Sequence, residues 1–599
     1  MIRCTHAPFS RTLTVLALLA GLAGCAVQQG PGQESAQPAA ALTTDTAYRP
    51  IATEPARMAV TTAHPLATRA ALQMLVQGGA PIDAAIAAQM VLGLVEPQSS
   101  GLGGGSLLMV WDQARQRLSS FDGLAAAPQR VTAGLNVDVD GSRLPPGSVD
   151  RGGRSVGVPG TLAVLAQAHA QSGKLPWARL FEPAMALAEN GFALPPYLHN
   201  VLSSATAAQD HPDMRALYFG ADGRVLPVGS LVKNPAYAQT LRRIASGGAA
   251  ALWSDGGGAA TVAALQRGHR PSLITEADLA AYQPRQRDPL CAPFLAYRVC
   301  MMAPPSFGGV VVLQVLQMLE ARPAPAQPGD RFNFDQSDFV HYFAQAGRLA
   351  QADRTQHVGD PGYTQVPSEA LVARDYVRSR AQLIDPARAV AEPPPGMPLR
   401  SGTPVAQAEE AADTADATSQ MAIVDRDGNA LSMTTTINLN FGSRLMAQGM
   451  VLNNALTNFS APPRPGQAGP NRMEGGKRPV TSMAPTIVFD AQGRPVVVGG
   501  SAGGGQIVDY IGQSLVEMLA NGRTPAEALA RGHVSTAVRG KLQLEAGSPS
   551  ARLAPALATR GHDTAVVPMT SGLGFLKRNG NGWLGAADPR RDGVALGQP

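Results

Sequence analysis

The chain has 599 residues, of which 45% are hydrophobic and 16% charged, enough apolar content for a large buried core and too much for general disorder. Its formal charge is +5, with the basic residues scattered rather than gathered in runs, which argues against a nucleic-acid partner.

The N-terminus reads as an export signal. Arg3 and Arg11 form a basic head, and Leu13 to Ala23 form an apolar stretch too short to span a bilayer comfortably. It ends Leu22-Ala23-Gly24-Cys25, which resembles the lipobox of bacterial lipoproteins, with Cys25 as the acylated residue of a signal covering 1–25. The alternative is an ordinary signal peptide cut near Ala26. Both place the mature protein outside the cytoplasm, on the periplasmic side of a bacterial envelope, and acyl chains on Cys25 would hold it to the membrane.

Residues 26–55 have a tether's composition, rich in Gln, Ala, Pro, Gly and Thr at first, and the body is expected from Ala56 to 386. Ala67 to Gln77 and Ile82 to Leu94 carry helical apolar spacing, with Gly78-Gly79-Ala80-Pro81 ending one helix and starting the next. Two glycine clusters, Gly101 to Gly105 and Gly499 to Gly505, suit close backbone approach, and neither is followed by the Gly-Lys-Ser/Thr of a phosphate loop. Of four cysteines, Cys4 and Cys25 belong to the leader; Cys291 and Cys300 flank an extended segment with a turn and are expected to form a disulfide. Two cysteines without a nearby histidine make no zinc site, so no metal is expected; no cofactor is expected either.

Residues 387–417 lose periodicity and read as a flexible linker. At Thr418 the pattern turns to alternation, with Met421 and Ile423 on one side, a turn over Asp425 to Asn429, and a return strand through Ala430, Ser432 and Thr434. A mobile segment running into a strand at a threonine suits self-cleavage between Ala417 and Thr418. A threonine hydroxyl needs an adjacent base, and the α-amino group freed by such a cut would supply one. His64, His341 and His357 have no partner at telling spacing and read as structural. Ser99, Ser100 and Ser306 lack the Gly-x-Ser-x-Gly of a nucleophile elbow.

Further motifs extend along the chain: Glu96-Pro97-Gln98-Ser99-Ser100-Gly101, Ala303-Pro304-Pro305-Ser306-Phe307-Gly308-Gly309, His341-Tyr342 through Ala352-Asp353-Arg354, Thr434-Thr435-Thr436-Ile437-Asn438, Leu452-Asn453-Asn454, Lys477-Arg478-Pro479, Ser482-Met483 and Gly585 to Arg590. With these, residues 55–599 resemble the gamma-glutamyltranspeptidase family of N-terminal nucleophile hydrolases. The resemblance implies an α+β fold, a four-layer αββα sandwich. It also implies autocleavage into a large subunit and a small catalytic subunit, 418–599, both from one precursor. On this resemblance Thr418 is the nucleophile, Thr436 the hydroxyl that positions it, and Gly503 and Gly504 the oxyanion donors. Asn438, Thr481, Ser482 and Asn458 fall at substrate-binding positions. The partners implied are a small-molecule acyl donor and water or an amine or peptide acceptor, and glutathione-type γ-glutamyl amides are the default donors.

The chain departs from the family where the amino acid head of the γ-glutamyl group is held. Leu124 stands where the family carries an arginine, Ala455 where it carries a glutamine, and Asn458 where it carries an aspartate. A zwitterion without ionic partners is costly to bury. These changes suit a glutaryl-like or more apolar acyl group, as in relatives that act on cephalosporin side chains, unless Arg444 or Arg472 supplies the missing charge. The segment from Ser460 to Gly476, at the family's lid position, is short and lacks an aromatic, so poor cover and easy entry for water are expected. The rival from another class is a non-catalytic envelope binding protein.

Overall fold

A computed structural model of the protein describes residues 49–598 except 51, 53, 132–134, 136–147, 205–210, 268–269, 325–328, 330, 399–416 and 461–468. The leader with Cys25, nearly all of the tether, the later part of the expected linker and the centre of the lid segment lie outside the described residues. Among those described, no helix is long and apolar enough to cross a membrane.

Two antiparallel sheets occupy the middle of the body. The first has eight strands in the order Arg49–Pro50, Val594–Gln598, Met58–Thr62, Ser419–Val424, Ala430–Thr436, Gly105–Asp112, Arg117–Gly123 and Arg285–Arg287. The second has six, in the order Gly582–Ala587, Gly574–Asn579, Pro495–Gly500, Thr486–Phe489, Tyr297–Met301 and Leu290–Phe294. Strand side chains alternate between faces, so each central strand feeds two cores. Ala422, Val424 and Trp111 of the first sheet meet Ile487, Phe489 and Leu576 of the second in one buried cluster. On the opposite face, Met421, Ile423, Leu431 and Met433 are buried with the apolar residues of helices Pro65–Val76 and Pro81–Val95. The second sheet is covered in the same way by helices Phe307–Ala321, Ser337–His357 and Ile507–Leu519. Helix, sheet, sheet and helix form the αββα sandwich.

Local chemistry sets the elements that frame the site. His64 caps the first helix, its Nδ1 accepting from Leu66 N at 3.2 Å, and Pro65 takes the first helical position, where no N–H is needed. Pro81 opens the second helix, and the Asp83 carboxylate accepts from Ala80 N at 2.8 Å. In the hairpin after Thr418, Asp425 Oδ1 accepts from Asp427 N at 3.0 Å and Asn429 N at 2.9 Å, and Gly428 takes φ +85°.

Cys291 and Cys300 face each other in adjacent strands and form the expected disulfide. The tether and linker need correction. Arg49–Pro50 pairs with the C-terminal strand Val594–Gln598, so the paired chain begins ahead of position 56. Residues 387–398 are pinned rather than loose: Val390 N donates to Gln345 Oε1 at 3.0 Å, Arg348 donates to Val390 O at 3.2 Å, and Gly396 N donates to Asp353 Oδ1 at 2.7 Å. An extended Pro-rich segment lacks helix or strand periodicity because its peptide groups are met by side chains of a neighbouring helix.

Candidate active site

The strand Ser419–Val424 lies between Met58–Thr62 and Ala430–Thr436, so strands from both sides of position 418 interleave in one sheet. The register Ser419 to Thr435 brings Thr418 opposite Thr436 at the open end of the hairpin. The buried Thr418 hydroxyl lies against the Ala417 carbonyl oxygen and 3.1 Å from the Thr436 hydroxyl. Thr436 Oγ1 in turn lies 3.3 Å from the same carbonyl and accepts from Asn438 N at 2.8 Å. The two threonine hydroxyls and the Ala417 carbonyl are thus in mutual contact. The first glycine cluster walls this corner, since a Cβ on Gly104 would stand 2.1 Å from Thr436 O.

Three residues to which the sequence reading gave no role, Glu96, Ser419 and Arg591, surround Thr418. Arg591 Nη1 donates to Thr418 O at 3.0 Å, while its Nε donates to Ser571 O at 3.0 Å. That loop is held by Asp588, which accepts from Ser571 Oγ and from Leu573 N. Ser419 donates to Glu96 Oε2 at 2.6 Å and accepts from Ser100 Oγ at 3.0 Å. Burial pushes the Glu96 carboxyl up to about 7, against the downward pull of Arg591 and the Ser419 hydroxyl. Glu96 and Ser100 sit inside a recognised motif and Arg591 directly follows another, but no spacing links positions 96, 419 and 591.

The second glycine cluster leads from the strand Pro495–Gly500 into the helix Ile507–Leu519. Gly503 has φ +126° and Gly504 φ +55°, and a Cβ on Gly503 would stand 2.6 Å from the Tyr510 ring, so glycine is required there. Ser482 donates to Gly504 O at 2.7 Å, tying the Thr481-Ser482 segment to this loop. Ala502 N donates to Gly572 O at 3.1 Å, which joins the glycine loop to the loop that holds Arg591.

The positions expected to meet the head group carry no charge. Leu124 is buried among apolar residues, its N–H bonded to Asp122 Oδ1 at 3.0 Å and its carbonyl to the Tyr282 hydroxyl at 2.6 Å. Asp122 is consumed by Arg478 at 2.8 Å and Arg287 at 2.7 Å. Ala455 is buried, and half-buried Asn458 accepts through its carbonyl from Asn471 at 2.8 Å. Asn438, at φ +81°, places its amide 2.9 Å from Thr457 Oγ1 and 3.2 Å from Asn454 Oδ1. Arg472 pairs with Glu474 at 3.1 Å, and the charge of Arg444 acts on the Asp150 carboxyl. A cavity of about 430 Å³ lies along the same segment, with Ala126, Ala127, Tyr282, Tyr363 and Arg478 in its wall, but Thr418 is not among its lining residues.

The three histidines hold structure. His64 caps a helix, His341 lies 2.8 Å from His562 and from Asp385 O, and His357 lies 2.8 Å from Gly396 O. Among the described residues, no group of three or more His, Cys, Asp or Glu is placed to hold a metal ion.

The gamma-glutamyltranspeptidase family model matches residues 67–598. A glutathione hydrolase proenzyme of Bacillus subtilis (strain 168) is 32% identical over 559 residues, covering 90% of this chain and 91% of that protein. The acylase ACY 1 proenzyme of Pseudomonas sp. (strain SE83) is 33% identical over 551 residues, covering 90% and 93%. The crystal structure of a cephalosporin acylase from Bacillus halodurans matches with a TM-score of 0.79 at 26% identity, covering 91% of this chain and 96% of that one. The match over nearly all of the folded body, joined to the αββα sandwich, establishes that this chain belongs to the gamma-glutamyltranspeptidase family.

Proposed function

We propose that this chain is a self-processing amidohydrolase in which Thr418 is first the agent of its own release and then the catalytic nucleophile. The contact of the Thr418 hydroxyl with the Ala417 carbonyl, with Thr436 touching both, carries this reading. In the precursor, Thr418 Oγ1 attacks the Ala417 carbonyl carbon. The C–N bond breaks, an ester to Oγ1 forms, and the hydroxyl proton passes to the departing nitrogen. Water then hydrolyses the ester, leaving a carboxylate on Ala417 and an amine on Thr418. With a substrate amide, the freed amine takes the Oγ1 proton and passes it to the leaving nitrogen as the substrate C–N bond breaks and an acyl-enzyme forms, and water or an amine acceptor then takes the acyl group and returns Oγ1 to a hydroxyl. Gly503 and Gly504 are the proposed oxyanion donors, a class of contact whose loss costs ~3 kcal/mol of barrier. Because strands on both sides of position 418 share one sheet, the two fragments stay together after the cut. Purified mature protein should therefore run as two bands on a denaturing gel, with the smaller beginning at Thr418. An active chain that stays in one piece would sink the mechanism.

The donor is an amide of one of two kinds. Relatives include a glutathione hydrolase proenzyme and an acylase proenzyme, which supports γ-glutamyl or other acyl amides alike. Buried Leu124 and Ala455 favour acyl groups without the full amino acid head, such as glutaryl. Thr481, Ser482, Asn438 and Asn458 would then meet the acyl chain through neutral hydrogen bonds. The run Leu22 to Cys25 supports a lipid-anchored enzyme at the periplasmic side of a bacterial membrane. Cys25→Ser should move the protein from the membrane fraction to the soluble one, and an unchanged membrane fraction would count against acylation.

A further inference from the structure

Glu96 is a buried carboxyl beside the strand that carries Thr418, and the steps above make no use of it. It follows the last turn of helix Pro81–Val95, where the negative pole of the helix disfavours a carboxylate. Its carbonyl accepts from Ser99 N at 2.9 Å and Ser100 N at 3.2 Å, so the turn that Glu96 closes also places Ser100. Its side chain reaches the residue after the nucleophile: Ser419 Oγ lies 2.6 Å from Oε2 and 3.0 Å from Ser100 Oγ. The other oxygen, Oε1, is buried without a hydrogen-bond partner. The charged groups acting on this carboxyl are Arg591, which also holds Thr418 O, and Asp592.

We propose that Glu96 is an ionisable positioning residue for the nucleophile: through Ser419 it seats Thr418 against Thr436, and its charge tunes how tightly the freed α-amino group of Thr418 holds a proton. The inference rests on the proposed role of Thr418. An ionised Glu96 draws a proton to that amine and withdraws it as a base. A neutral Glu96 leaves Arg591 dominant, and the amine is released to accept the proton of Oγ1. Burial raises the Glu96 carboxyl to about 7, toward the ordinary range of an α-amino group of about 7.7–8.0, so both groups change charge in the same pH window.

The test compares wild type, Glu96→Gln and Ser419→Ala by intact mass of the two fragments, by thermal midpoint, and by the pH profile of kcat/KM on γ-glutamyl and glutaryl anilides. Gln keeps an oxygen for Ser419 and loses the charge. The expected result is a normally cut enzyme whose acidic limb moves down by about one pH unit, as for loss of a buried negative charge from the surroundings of the amine. Ser419→Ala loses the tether, so it should be cut more slowly; it also removes a hydroxyl that holds the Glu96 carboxyl down, so Glu96 is more often neutral and the acidic limb should move in the same direction as in Glu96→Gln, but by less. A cut Glu96→Gln enzyme whose limb coincides with wild type, or moves up, overturns the proposal and leaves the Thr418 reading standing. If Glu96→Gln folds but stays uncut, Glu96→Asp decides: restored cutting supports a required carboxyl, and continued failure overturns it. A wild-type chain that is never cut overturns the Thr418 reading, and this inference with it.

Discussion

Thr418→Ala leaves a single uncut chain and lowers amide turnover by ~10⁴-fold or more, the scale seen when a hydrolase loses its nucleophile. Alanine removes the hydroxyl that touches both the Ala417 carbonyl and the Thr436 hydroxyl. No ester can form, the amine is never released, and both roles of the residue fail together. The fold should survive, because the neighbouring strand pairing runs through Ser419 to Val424 and does not depend on the hydroxyl. A thermal midpoint within a few degrees of wild type would separate lost chemistry from lost structure. Thr418→Ser sharpens the test. It keeps the hydroxyl but drops the methyl group that restricts χ1, so cutting should proceed more slowly and still reach completion. A Thr418→Ala chain that is cut at the same bond would move the nucleophile elsewhere.

The second large effect lies in the choice of donor. Wild-type enzyme should turn over a glutaryl anilide with a higher kcat/KM than a γ-glutamyl anilide. The combined change Leu124→Arg, Ala455→Gln and Asn458→Asp should shift that ratio by ~10²-fold toward γ-glutamyl. Two restored contacts to charged groups, at ~1.5 kcal/mol each, account for a shift of that size. The changes belong together. Leu124→Arg alone places a cation in a buried apolar setting, beside an Asp122 already neutralised by Arg478 and Arg287, and should destabilise the fold. Asn458, half-buried, can become an aspartate at lower cost and supply the partner for a ligand ammonium. A wild-type enzyme that strongly prefers γ-glutamyl donors would show that the zwitterion finds charge elsewhere, with Arg444 as the first residue to replace.

Much of the site was legible along the chain because its parts are local. The break in periodicity before Thr418, the Asp425 to Asn429 turn and the alternation on either side dictate a hairpin, and a hairpin places residue 418 opposite residue 436. The Pro-rich stretch 387–398 misled for the same reason. Its order comes from Gln345, Arg348 and Asp353 on a distant helix, and local composition carries no trace of them.

The sequence by itself determined the nucleophile's candidate, the helices and the hairpin around it and the cysteine pair, since each depends on residue type and short-range pattern, while the family resemblance marked the lost polar and charged groups at Leu124, Ala455 and Asn458. Only the tertiary structure decided that Glu96, Ser419 and Arg591 gather around Thr418, and that Arg472 is already paired with Glu474. The physical reason is the topology: antiparallel pairing of strands far apart in the chain brings these groups within hydrogen-bonding distance, where low polarity and close charge set their protonation.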